Sequence, residues 1–165
     1  MLCPDLKRRK AMPGRIFVAG GGALALGIAA WLLAGMSDAT RTAAPGMGNI
    51  ADGKRLYGEY CASCHGANLE GAPNWQTPNP DGTLPAPPHD ATGHTWHHDD
   101  TLLFEYIRLG GQAALAARGL TDFRSGMPPF GEILTDAEIS SILAYIKSTW
   151  PSRIRESQAR RNRGG

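Results

Sequence analysis

Cys61-Ala62-Ser63-Cys64-His65-Gly66, the stretch CASCHG, decides how the rest of the chain is read. Two thiols and an imidazole within five residues admit a zinc knuckle, a redox dithiol or a covalent cofactor anchor. A zinc knuckle needs a second ligand pair at comparable spacing, and the remaining cysteine, Cys3, lies far upstream, before a long apolar segment. A thioredoxin-like dithiol heads a helix that follows a strand, whereas this pair closes a helical pattern. A Cys-x-x-Cys-His run suits haem attachment. Its thiols reach two neighbouring vinyl groups on one porphyrin edge, and the next residue projects its imidazole to the iron. Cys61 and Cys64 therefore read as haem thioethers and His65 as an axial iron ligand.

Upstream, Asp52 can cap a helix in which Leu56, Tyr57, Tyr60, Cys61 and Cys64 recur at amphipathic spacing, and Gly66 stops it. From Ala67 to Pro88 there are six prolines and no helical period, which predicts a long loop wrapped around something. Asp99 or Asp100 starts a second helix, TLLFEYIRL, closed by Gly110-Gly111, and another loop runs to Phe130. The last helix opens on the capping box Thr135-Asp136-Ala137-Glu138, carries an apolar stripe of Ile139, Ile142, Leu143 and Ile146, and stops at Trp150-Pro151. Residues 152–165 read as a basic tail, disordered or a solvated helix. Three or four short helices joined by long loops leave little regular structure for a self-sufficient core, so a cofactor is expected to supply apolar volume.

The second axial ligand should be a soft sulfur or another imidazole. Of five methionines only Met127 follows the haem motif. It sits in SGMPPFG, where Pro128 and Pro129 stiffen the backbone and fix the approach of the thioether, and it is assigned as the second iron ligand.

With these pieces in place, the chain from about Ile50 to Trp150 resembles a class I c-type cytochrome. Gly53 and Tyr57 precede CASCHG, and SGMPPFG and LTDAEISSILAYIKSTWP follow it. The resemblance implies an all-α fold of three to four helices around one covalent haem c, with the first and last helices crossing at Gly53 and Tyr57 meeting Tyr145. It also implies that a proline carbonyl, here Pro73, accepts the His65 Nδ1 hydrogen. The stretch PNWQTPNPDGTLPAPPHDATGHTWHHDD departs from the smallest members and resembles an insertion in membrane-attached bacterial monohaem cytochromes.

Within that insertion His89, His94, His97 and His98 fall in ten residues. They admit a copper-handling module, although a polar loop around the cofactor edge accounts for them more simply.

The N-terminal side sets the compartment. Residues 16–36 carry no charge, and as a helix would span about 31 Å, the thickness of a bilayer core. The flank 1–15 holds five basic residues against Asp5, which keeps it cytoplasmic. A single-pass transmembrane anchor in the bacterial inner membrane is expected, with a flexible linker over 37–49 and the cytochrome domain, 50–151, in the periplasm. The other reading is a signal segment cleaved after Ala39, leaving a soluble periplasmic domain. The domain bears six basic against twelve acidic side chains, a net −6, while both ends are basic.

Together these features predict one-electron transfer between membrane-bound donor and acceptor proteins of a respiratory chain, with the bilayer engaged through the N-terminal helix. No enzymatic activity and no nucleic-acid partner are expected. The competing possibilities are a haem enzyme or small-ligand sensor in which Met127 is labile, and the copper module.

Overall fold

Gly53 is where the fold closes. It lies in α1 (Ile50–Tyr60) against the backbone of α5 (Asp136–Ser148), so close that a Cβ there would overlap the Ser141 carbonyl and stand 2.9 Å from the Tyr145 Cβ. The absence of a side chain lets the two helices cross in contact. Beside the crossing, Asn49 donates its backbone N–H to Ser141 Oγ at 3.1 Å, and the rings of Tyr57 and Tyr145 meet at 5.5 Å. Both contacts expected of the first and last helices are present.

The computed structural model describes residues 48–164. The leader 1–15, the apolar segment 16–36 and nearly all of the linker 37–49 lie outside the described residues. Among those described, no helix is long and apolar enough to cross a membrane. Between α1 and α5 the chain forms a single turn, α2 (Ala62–His65), a 3-10 turn (Thr95–His97), α3 (Asp100–Leu109) and α4 (Gly111–Ala116); α6 (Ser152–Arg161) follows α5. No strand occurs among the described residues, and one isolated parallel bridge joins Thr83 to Arg124.

Local chemistry explains the boundaries. Asn49, rather than Asp52, caps α1: its side-chain oxygen accepts from the N–H groups of Ala51 and Asp52, and the Asp52 carboxylate sits in the first turn, where the helix dipole favours it. Asp99 caps α3 by accepting from Leu102 N–H at 2.8 Å. The Thr135–Glu138 capping box forms as expected. Ile139 and Ile142 are fully buried in the core that also holds Tyr57 and Leu56, each worth about 2 kcal/mol of apolar burial.

Two segments differ from expectation. The stretch after Gly110 forms α4, in keeping with its alanine-rich Gln112–Ala117 run. The tail is a helix docked on the 3-10 turn, with Ile154 and Gln158 buried. Gln158 Nε2 donates to Asp100 Oδ1 at 2.7 Å and to the His98 carbonyl, Asn162 donates to Asp100 Oδ2, and Lys147 Nζ pairs with the same carboxylate. The helical domain thus continues past residue 151.

Candidate functional site

Cys61 ends α1 and begins α2, and its carbonyl accepts from the N–H groups of both Cys64 and His65. That single turn sets the two cysteines three residues apart on one helical face, both half-buried and unpaired. Burial, reinforced by Cys64, pushes the Cys61 thiol up to about 12. A redox dithiol needs the opposite shift at its attacking thiol, so Cys61 is unsuited to that part.

Beyond the turn, Gly66 adopts a positive φ of 81° and sends the chain back across His65. Tyr57 Oη donates to the Gly66 carbonyl at 2.9 Å, and Gly71 N–H to the His65 carbonyl at 2.8 Å. His65 is buried, 8% exposed, and its Nδ1 lies 2.8 Å from the Pro87 carbonyl oxygen. Burial lowers its pKa, with the Pro87 bond opposing part of the shift. A neutral imidazole that donates Nδ1–H to a carbonyl presents Nε2 as a free lone pair, the form in which histidine binds a metal.

The carbonyl belongs to Pro87 and not to Pro73, which is exposed at the start of the insertion. The correction has a simple cause. Ala72 N–H donates to the Ala86 carbonyl, and His89 N–H to the Leu69 carbonyl, so the chain leaves at Ala72, makes an excursion over 73–85 and returns. The second proline group then reaches His65. Gly71, at φ 72°, leaves the space this return needs, since a Cβ there would overlap Pro88.

Met127 is half-buried against the same apolar core as Cys61, Trp96 and Phe104. Its carbonyl accepts from Gly111 N–H at 3.1 Å, and its N–H donates to Ser125 Oγ. The following residues are pinned to α3, Phe130 N–H on the Ile107 carbonyl and Gly131 N–H on that of Arg108. Gly110, at φ 80°, lets α3 end against this loop. Met127 is thereby held on a short tether at the junction of two helices.

The four clustered histidines each pack against an aromatic or imidazole ring. His89 stacks on His65, His94 stacks on Trp75 at 5.2 Å and meets His98 edge-on at 5.4 Å, and His97 lies against Trp96. Among the described residues no group of three or more His, Cys, Asp or Glu side chains is placed to hold a metal ion. The copper-handling reading therefore finds no ligand set in this loop. Burial lowers the pKa of His89 well below the ordinary range and also lowers those of His94 and His98, with neighbouring imidazoles adding to each.

One further side chain bears on which cofactor these residues fit. The indole Nε1 of Trp96 is buried and has no hydrogen-bond partner among the described residues. An orphaned buried donor costs about 1–3 kcal/mol unless something accepts from it. An acidic haem side chain would do so, and with two free thiols on one turn and a neutral imidazole beside them the residues present fit a covalently held haem. The polar side chains of this loop, Trp96 among them, were expected from the sequence at the cofactor edge; the stacking of His89 on His65 was not foreseen, and the Pro-Pro-His run within the insertion was the available signal for it.

Comparison with known proteins agrees. The chain belongs to the cytochrome c family, matched over residues 50–150, and is a class I c-type cytochrome carrying covalently bound haem c. It is similar to the cbb3-type cytochrome c oxidase subunit CcoP of Azospirillum sp. (strain B510), with 33% identity over 100 residues. That match takes in 60% of this chain and 28% of the relative, so the chain spans less than a third of its length. No solved structure matches. Haem-based electron transfer is the activity this membership supports.

Proposed function

We propose that the domain is a one-electron carrier in which Cys61 and Cys64 form the haem thioethers and His65 and Met127 are the axial ligands. The observation that carries this reading is the state of His65: buried, neutral, its Nδ1 committed to Pro87 and its Nε2 free, one residue after two thiols on a single turn. When bound, the haem supplies an iron that accepts and releases single electrons. The chain's part is to hold it closed. With His65 and Met127 as its two ligands the iron would have no position left for substrate, and the thioether would favour the ferrous state relative to a second imidazole. Trp96 supplies a buried donor for an acidic group of the cofactor.

The apolar segment 16–36 would anchor the domain to the inner membrane with the haem on the periplasmic side, and the linker 37–49 would give it a reach of about 20 Å. The relative is an oxidase subunit, which supports membrane-bound respiratory donors and acceptors as partners.

The test is the visible spectrum of the oxidised protein. A sulfur-to-iron charge-transfer band in wild type that disappears in Met127→Ala establishes the His/Met pair. If wild type lacks the band and its reduced form binds carbon monoxide, the site is open and the carrier reading gives way to an enzyme or sensor.

A further inference from the structure

The reading above gives no role to the one ring that stacks on His65. His89 lies flat on the His65 ring, with centroids 4.0 Å apart and planes inclined by 22°. We propose that His89 is a positioning residue for His65, a buttress that fixes the plane of the axial imidazole. The inference rests on His65 being an iron ligand.

The ring of His89 is itself held. Its Nδ1 lies 2.8 Å from Thr95 Oγ1, and the Thr95 hydroxyl reaches the Pro88 carbonyl at 3.3 Å. The hydroxyl has one proton, and the carbonyl can only accept, so the arrangement is satisfied when His89 carries its proton on Nδ1 and donates to Thr95, which donates to Pro88. The backbone on either side of the ring is equally constrained. His89 N–H donates to the Leu69 carbonyl at 2.8 Å, and its own carbonyl accepts from the indole of Trp150, 1% exposed, at 2.8 Å. Thr95 is 5% exposed. A side chain tied this way at ring and backbone does not swing away from its neighbour.

The consequence for His65 follows from what else constrains it. The Pro87 carbonyl fixes the Nδ1 end of the ring, and coordination would fix the Nε2 end. Those two points and the bond to Cβ place the ring, leaving a rocking motion of its plane about the Cβ–Cγ bond that only a contact on its face resists. His89 lies there. The plane of an axial imidazole sets the splitting of the iron d orbitals, so a ring locked in one plane gives one sharply defined electronic state. The same cover keeps water from the ring face, and a drier ligand environment favours the less charged ferrous form. Pro87 and His89 are two residues apart on one returning strand of loop, so a single segment supplies both the hydrogen-bond acceptor and the face contact.

The experiment compares holoprotein variants by electron paramagnetic resonance of the ferric form, by the spread of haem-methyl proton shifts and by reduction potential. In His89→Ala the g-values and methyl-shift pattern are expected to move and the potential to fall. His89→Phe keeps a flat ring in place and is expected to stay with wild type. Thr95→Val removes the anchor of the ring and should move the same observables in the same direction by less, with Thr95→Ser restoring them. Spectra of His89→Ala that superimpose on wild type, or a His89→Phe variant that behaves like His89→Ala, overturn the proposal. Should His89→Ala fail to load haem, the Thr95 pair carries the comparison alone. The ligand assignment is read separately. Loss of the charge-transfer band from wild type defeats the His/Met reading, whereas its presence with an unchanged g-pattern in the variants defeats the role of His89 only.

Discussion

Trp96 shows how a single side chain reports on the cofactor. If its indole donates to an acidic haem group, that bond holds the acid's pKa down, and replacing Trp96 by Phe releases it. The pH above which the reduction potential stops depending on pH should therefore rise in Trp96→Phe, as a redox titration across pH would reveal; an unchanged profile would place the acid elsewhere. The cysteines and His65 were legible because the geometry they need is local: three residues of one helical turn bring both thiols and the imidazole to one place. The acceptor of His65 was not. Pro73 and Pro87 offer the same carbonyl, and the choice between them is made by the Ala72–Ala86 and His89–Leu69 hydrogen bonds, which no local pattern announces. The proposed role of Met127 rests on elimination, as the sole methionine after the motif.

At the scale of helices, α1 offers an internal comparison. Gly53→Ala drives a methyl into the Ser141 carbonyl and should cost about 2–3 kcal/mol, whereas Gly58, five residues on in the same helix with nothing within 4 Å, should gain about 0.5–1 kcal/mol on changing to Ala. Chemical denaturation of the two holoprotein variants would check the opposite signs. A second comparison concerns α6. Gln158→Leu leaves Asp100 and the His98 carbonyl without a partner they now share, and a loss of about 1–2 kcal/mol is expected in the same assay. The two terminal helices also differ in how openly the sequence displays them. In α5 the capping box and an unbroken apolar stripe declare the element and its buried face together. The buried face of α6 consists of Ile154 and Gln158, and a glutamine is a core residue only where a carboxylate waits for it. Asp100, 58 positions earlier, is that carboxylate, so the burial of α6 is a long-range fact.

The molecule as a whole is electrically polarised. Residues 50–151 carry a net −6 and residues 152–165 a net +4, and because α6 is docked the positive end is fixed to the body. Electron exchange with a basic partner surface should slow as ionic strength rises, with stopped-flow kinetics at several salt concentrations as the measure. Acid should act on the histidine loop. His94 and His98 have pKa values lowered in the folded state, chiefly by burial, so the unfolded chain takes up protons first. Stability contributed by these groups is complete above the unfolded value of about 6.5 and is lost as pH falls through the lower folded values. The facing charges are His97, Asp99 and Arg161, of which only Asp99 opposes the loss. A His94→Gln/His98→Gln variant should show a shallower fall in melting temperature between neutral and mildly acidic pH.

The excursion over residues 73–85 carries a different lesson. Its two ends are joined by the bond from Ala72 to Ala86, on the near side of Pro87, so the carbonyl that His65 uses lies outside the excursion, while Thr83 and Asp81 within it meet Arg124 and Trp75 stacks on His94. Chain added or removed between those points alters closure entropy only slowly with length, by about 0.6 kcal/mol for each doubling. The exposed stretch between Trp75 and Asp81 is thus a natural port: a fluorophore site, an epitope or a docking peptide could be spliced in there while the hydrogen bond from His65 to Pro87 is left as it stands.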